Sequence, residues 1–438
     1  MSGAMMVTRG TFISAALSGP AFDFINPPQL VSASFNGSTQ NLSVPNSAAF
    51  NPGTGDFTIE FWTRLTSTTN NASFYRGHNN GVDIFMNGSG RLAMGQAQVS
   101  TLITDTVTMT TGSWVHVAVV RISSATTLYK NGVLVGSAGD ATNYTTDTAN
   151  YIGFSGSIRI NGYMSNLRVV IGTGVYTGAF TPSTKPLTAI TNTALLLSMG
   201  ATPFIDSTTN TSAVSVTNTG TVTITNSSPF STTWTDSVSA IAATVATNVN
   251  SSGNNPTYDA RYGGGIMIAE NPRQSYVDIP TSYNGASPFT ISLAANIPAS
   301  TGSHYVAIIC SNVVSRSGNG IMSRHWVGDG FEAGITSNWI ASNSVSSPAM
   351  GALAWYDYVY NGTSITLYKN GSQVFTGTMT AANTGWANPL RIGGDEAVVS
   401  SGNTMATGVI YRIKCQPGAL SSGQITTQFN AVKATYGL

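Results

Sequence analysis

At 438 residues the chain is long for a single core and suits two domains of about 200 residues each. Only 8% of its residues are charged, against roughly 25% in an ordinary soluble domain, while 41% are hydrophobic and 46 are glycine. A net charge of +1 with no run of Lys or Arg argues against a nucleic-acid partner, and no stretch reaches the roughly 18 apolar residues of a bilayer span.

Residues 1–29 open with Arg9 and the apolar run Thr11 to Leu17, which is too short and interrupted for a leader peptide and is expected to be retained. Phe22, Phe24, Ile25 and the Pro27-Pro28 pair suit docking along another surface better than a core. The segment is therefore expected to attach the protein to its assembly. Residues 30–230 and 231–438 are expected to form the two domains.

In the first, Asn41 to Pro45 reads as a strand, and Phe57, Ile59 and Phe61 alternate with Thr58, Glu60 and Trp62, the period of a half-buried strand. Phe74 to Asn80 mixes aromatic, amide and basic groups and reads as a loop. Trp114 to Arg121 is a strand that runs toward Thr127 to Gly132, whose Asn131-Gly132 pair marks a type I′ hairpin because both positions need positive φ. Gly162 to Val169 and Asn192 to Leu197 close the unit, and residues 206–233 keep enough alternating valine to be extended.

The second half repeats this order. Tyr276 to Pro280 answers Asn41 to Pro45, Phe289 to Leu293 answers Phe57 to Phe61, and Leu353 to Tyr360 answers Trp114 to Arg121. Thr366 to Gly371 repeats Thr-Leu-Tyr-Lys-Asn-Gly without change, and Gly408 to Cys415 answers Gly162 to Val169. Matched elements in one order are a tandem duplication. Many strands spaced by Gly, Asn and Ser turns indicate all-β sandwiches. One helix is expected, from Ser422 to Tyr436, with Ile425, Phe429, Val432 and Tyr436 as its apolar stripe. The two cysteines, Cys310 and Cys415, are expected to be buried thiols, with a single bridge between them as the alternative.

The Asp56-Phe57-Thr58-Ile59-Glu60-Phe61-Trp62 strand, Gly112 to Ala118, the Tyr-Lys-Asn-Gly hairpin and Gly162 to Arg168 together resemble the laminin-G-like, concanavalin-A-like family. The resemblance implies two tandem jelly-roll sandwiches of face-to-face antiparallel sheets, carbohydrate or protein ligands, and calcium in some members. Val175 to Pro182 and the chain's ending, Gly418 to Leu438, are similar to a subgroup found in structural proteins of tailed bacteriophages. That likeness implies a virion subunit (tail fibre, tail-associated or head decoration) assembled in the host cytoplasm, a homo-oligomer with a trimer favoured, and a host surface glycan as ligand.

Sugar recognition needs aromatic faces and short polar side chains. The candidates are Tyr75, Arg76, His78 and Asn79 in the first domain, with Trp326 and Trp339 as their counterparts in the second. Asp83, Asp395 and Glu396 are the candidate calcium ligands, since hard cations take oxygen from loops. No catalytic residues are assigned. The four glutamates, Glu60, Glu270, Glu332 and Glu396, begin no Glu-x-Asp-x-x-Glu motif, and the nearest carboxylate cluster, Asp329 with Glu332, falls on opposite faces of a strand. His116, inside an apolar strand, is expected to be a buried structural histidine. A secreted or cell-surface bacterial carbohydrate-binding protein is the first alternative, and a polysaccharide-cleaving enzyme the second.

Overall fold

The computed structural model describes residues 22–69, 72–208, 214–247, 256–268, 275–280, 288–297, 306–311, 321–326, 330–335, 338–342, 352–378, 390–392 and 408–438. Two all-β jelly-roll sandwiches follow one another, every strand pair within them antiparallel, with one helix at Ser422–Tyr436. In the first, an eight-stranded sheet centred on Phe57–Leu65, Val115–Ile122 and Asn161–Ile171 packs on a seven-stranded sheet running from Thr217–Thr219 to Ser100–Thr108. Phe57, Ile59, Phe61, Val117, Val119, Leu128, Phe74 and Ile84 fill the space between them. The second repeats the arrangement, with Phe289, Ile291, Leu293, Tyr356, Tyr358 and Leu367 between its sheets.

The duplication extends to irregularities. Asn131 and Gly132 have φ of +52° and +74°, and Asn370 and Gly371 +50° and +76°. Each hairpin carries a register shift at the same place, Leu128/Tyr129 and Leu367/Tyr368. Leu128 and Leu367 are both buried, facing Val119 and Tyr358 on the preceding strand. A shared bulge in a shared register is inherited geometry rather than convergence on a common turn.

The half-buried reading of the central strands needs correction. Thr58, Glu60, Thr290 and Ser292 are all fully buried, so both faces of these strands are covered. In the first sandwich the cover is the irregular segment after Ile171. Thr58 Oγ1 donates to Thr173 O at 3.0 Å and accepts from Val175 N at 2.8 Å. Tyr176 and Phe180 stack at 3.6 Å, and Phe180 meets Tyr129 and His116 edge-on. In the second sandwich the cover is the helix. Thr290 Oγ1 donates to Gly418 O and accepts from Leu420 N. A Ser421–Gln424 capping box starts the helix, Gly437 ends it in the left-handed region, and Ile425 and Tyr436 are buried beneath it.

Residues 22–24 correct a second expectation. Rather than lying along a surface outside any core, Phe22–Phe24 is a strand of the second sandwich, paired with Gly408–Pro417, and both phenylalanines are fully buried in its core. Residues 27–31 are buried on the way into the first sandwich. Burying two phenylalanines stabilises by roughly 1.5–3 kcal/mol each, which explains why the segment folds inward. Residues 1–21 lie outside the described residues. Cys415 is a buried free thiol, its pKa pushed up to about 12 by burial, and is not bridged. The side chain of Cys310 lies outside the described residues.

Each hairpin glycine touches its cover. A Cβ on Gly132 would lie 1.7 Å from Phe180 O, whereas one on Gly371 meets only the Phe429 side chain, at 3.1 Å. Gly132→Ala should therefore destabilise by more than the roughly 1–3 kcal/mol of a left-handed non-glycine residue, and Gly371→Ala by about that alone. Thermal denaturation of the two variants checks the order. Asp357 supplies a pH test. Burial lifts its carboxyl to about 6 against opposing hydrogen bonds from Ser292, Trp355 and Gln428 and the charge of Lys414. A folded-state pKa above the unfolded one costs nothing below the unfolded value and grows in cost as pH rises through about 6, reaching at most roughly 3 kcal/mol. Asp357→Asn should raise the Tm at pH 8 and leave it unchanged at pH 4; equal shifts at both would contradict this.

Candidate functional site

Among the described residues, the outer face of the seven-stranded sheet carries a surface cluster of polar and aromatic side chains. Ser43, Tyr151, Arg76, Asp83 and Gly95 are successive cross-strand partners and so share that face. Toward one end of the row, the turn after Ser73–Gly77 places His78 and Asn79 beside Asp147. His78 Nδ1 lies 2.6 Å from Asp147 Oδ1, Asn79 Nδ2 donates to Asp147 Oδ2 at 2.9 Å, and Gln98 Nε2 donates to Asn79 Oδ1 at 2.5 Å. The turn is tight because Gly77 and Gly81 face each other, where a Cβ on Gly81 would sit 2.5 Å from Gly77 Cα. The hydrogen bond from His78, ahead of those from Asn79 and the backbone, holds the Asp147 carboxyl below its ordinary pKa, so it stays ionised.

Aromatic surface adjoins this polar set. The Tyr151 ring lies 5.9 Å from the His78 ring and 5.1 Å from Phe154, and Arg159 caps the Phe154 ring at 4.8 Å. All four are half-buried, with an exposed edge. The Phe154–Arg159 hairpin leans over the sheet, and Arg76 Nη1 donates to Ser155 Oγ at 2.6 Å to hold it. The His78 and Asp147 side chains keep 32% and 50% exposure, so both can be reached from solvent beside an aromatic edge.

The sequence candidates divide across this geometry. His78 and Asn79 stand in the site. Tyr75 does not: it lies in a strand rather than a loop, is buried, and donates to Asn150 Oδ1 at 2.9 Å. Arg76 is buried beneath the hairpin and paired with Asp83 at 3.7 Å, so it supports the site without facing solvent. Asp83 is likewise corrected as a calcium ligand. It is buried in a strand, accepts from Ser73 at 2.6 Å, and its carboxyl is raised to about 6 by burial against Ser73 and Arg76. A neighbouring guanidinium occupies the place a cation would take. Among the described residues no group of three or more His, Cys, Asp or Glu could hold a metal ion. Asp395 and Glu396 lie outside the described residues. Trp326 and Trp339 belong to the strands Ile321–Trp326 and Asn338–Ser342 rather than to loops, and their side chains lie outside the described residues. Tyr151, Phe154, Asp147 and Gln98 escaped the sequence reading. No local motif marks them, because strand pairing alone brings Tyr151 alongside Arg76 and the turn.

A second cluster is closed to ligands. Behind the first sandwich, Arg168 Nε and Nη2 donate to Glu60 Oε1 at 2.9 and 2.5 Å, Tyr176 OH donates to Oε2 at 2.7 Å, and His116 Nε2 lies 3.2 Å away. Burial raises the Glu60 pKa, but His116, Arg168 and Tyr176 outweigh it and the net direction is down. Glu60 and His116 are at most 1% exposed, so His116 is structural.

Among curated proteins none matches the sequence. Solved structures resemble it in fold alone. One is a protein described as carbohydrate binding from Bacteroides ovatus, with 19% identity over 47% of this chain and 62% of that one, at a TM-score of 0.37. Another is domain 4 of an extracellular arabinanase from Geobacillus stearothermophilus in complex with arabinotriose, with 20% identity over 44% and 91% and a TM-score of 0.35. A third is a heptameric SAP-like pentraxin from Limulus polyphemus, with 18% identity over 43% and 94% and a TM-score of 0.32. The concanavalin A-like lectin/glucanases superfamily model matches residues 36–173 and again 271–426, one stretch in each sandwich. These two stretches are more than half of the chain, which belongs to the concanavalin A-like lectin/glucanases superfamily.

Proposed function

We propose that the protein is a non-catalytic glycan-binding adhesin, and that His78, Asn79, Asp147 and Tyr151 form its sugar site. The carrying observation is the half-exposed Tyr151 ring beside the Asp147 carboxylate, which His78 and Asn79 fix in place. Sugars present an apolar C–H face to an aromatic ring and a fan of hydroxyls to planar acceptors and amides. Pre-ordering these groups before the ligand arrives lowers the entropy lost on binding.

The same proposal takes the protein to be non-hydrolytic. Glycoside cleavage needs two carboxyl groups held across the bond, one as acid and one as base or nucleophile. Every carboxylate whose side chain is described already has a partner: Glu60 with Arg168, Asp83 with Arg76, Asp105 with Lys130, Asp140 with Arg121, Asp259 with Arg261, Asp278 with Arg391 and Asp23 with Arg412. The remainder, Asp56, Asp147, Asp206, Asp236 and Asp357, accept hydrogen bonds. A tailed-phage particle is the setting we propose. The charge-poor, Thr- and Asn-rich surface and the likeness of Val175 to Pro182 to phage structural proteins support it, and mass spectrometry of purified virions tests it.

Titration calorimetry of the full chain against oligosaccharides, chosen from a glycan array, tests the site. Tyr151→Ala should weaken binding at least tenfold while leaving the Tm within a degree or two, since the ring is only half-buried. Tyr75→Ala should instead unfold the first sandwich, at a cost of about 3–5 kcal/mol. Failure of the wild-type chain to bind any glycan, or full binding by the Tyr151 variant, contradicts the assignment. Release of reducing ends would contradict the non-catalytic reading.

A further inference from the structure

Among the described residues, one edge position is filled from within its own half in the first sandwich but from outside its own half in the second. In the first, Thr193–Leu197 adds to the edge of Asn161–Ile171, pairing Leu197 with Leu167, Leu196 with Arg168 and Leu195 with Val169. The partner strands align through the central one: Glu60 faces Arg168 and Ser292 faces Lys414, so Arg168 corresponds to Lys414. In the second sandwich Phe24 pairs with Ile413, Asp23 with Lys414 and Phe22 with Cys415. Phe22, Asp23 and Phe24 therefore occupy, in the same register, the places of Leu195, Leu196 and Leu197. After Gly408–Pro417 the described chain turns into the helix Ser422–Tyr436 rather than into a strand beside it.

The acceptor edge recognises this strand specifically. Phe22 and Phe24 enter the core, where Phe24 meets Trp234 at 5.5 Å. Asp23 forms a two-pronged ion pair with Arg412, Oδ1 to Nε at 2.7 Å and Oδ2 to Nη2 at 2.5 Å. Ser237 N donates to Asp23 O at 3.0 Å, and Asp23 N donates to the Asp236 carboxylate. Residues 22–24 behave as a donor strand joined to the first sandwich only through residues 25–31, where Ile25 and Asn26 are exposed and Pro27-Pro28 stiffens the turn.

We propose that this edge is a strand-acceptor site through which two copies of the chain join, residues 22–24 of each completing the second sandwich of the other. The acceptor is incomplete without a strand from outside its own half. The contacts made by the donor are the same whether it comes from its own chain or another, so exchange gains the partner at no loss of pairing. Asn26, before Pro27, is held at φ +53° here, outside the extended region a residue before proline prefers, and a strained short hinge favours exchange. The second copy is thus bound by main-chain pairing, two aromatic anchors and one charge pair. The proposal is independent of the glycan site.

Charge reversal separates exchange from folding back. Asp23→Arg and Arg412→Asp each set like charges against one another when the strand inserts into its own chain. When one copy of each variant exchanges strands, both acceptor sites regain an opposite pair. Differently tagged Asp23→Arg and Arg412→Asp chains, co-expressed, should co-purify as a mixed dimer in preference to either like pair. Recovery of each variant only as a separate species would overturn the proposal. Phe22→Cys in a Cys310→Ser background gives an independent reading, because residue 22 faces Cys415. Oxidation should give an interchain dimer on a non-reducing gel; a cross-link confined to single chains would overturn the exchange.

Discussion

The structure depends on closing the back of the central sheet in each sandwich. In the first, the pair between Glu60 and Arg168, completed by Tyr176 and His116, lies under the irregular segment that follows Ile171. Removing one member of such a buried pair is expected to cost about 3–5 kcal/mol, since the other is left uncompensated. The second sandwich solves the same problem with less charge. Ser292 and Asp357 stand across from each other on adjacent strands, and the helix residue Gln428 donates to both. Both solutions put polar groups where a bare sheet would face water, and both tie the cover on through one threonine, Thr58 or Thr290.

This explains the unusual composition. With 8% charged residues, a chain has few ions to place, and most of those described are paired within or beneath a sheet. Arg121, fully buried, donates to the carbonyls of Gly53, Gly55 and Thr142 and lies between the Phe57 and Tyr144 rings at 5.0 Å. Tyr360 takes its place in the second half, so even shared positions have been rebuilt. Few charges are left outward among the described residues, and the Asp147 carboxylate beside Tyr151 is one of them.

Much of the fold was legible because it rests on local rules. Phe57, Ile59 and Phe61 alternate with period two, Asn-Gly fixes both hairpins, and the helix stripe from Ile425 to Tyr436 has its cap at Ser421. The illegible parts depend on distant partners. Glu60 looks solvent-facing until Arg168 and the covering segment come to it. Tyr75 looked like a loop aromatic because Arg76, Gly77 and His78 follow it, yet the core buries that side of the strand and the overlying hairpin covers the other, at Arg76. Three residues, Phe22 to Phe24, are too few for periodicity to show, and their partner lies 389 positions away. The site was half-read: His78 and Asn79 were visible as a polar turn, whereas Asp147 and Tyr151 join them only by strand pairing across the sheet.

If the outer face around Tyr151 is where the protein meets sugar, a bound oligosaccharide must protect the backbone there before anywhere else. Hydrogen–deuterium exchange of the full chain, with and without a glycan it binds, reads this without any substitution. Slowed exchange should appear in peptides spanning residues 77–81, 96–98 and 147–159, with the hairpin at residues 127–139 unchanged. Protection confined to the second sandwich, or to that hairpin, would contradict the assignment.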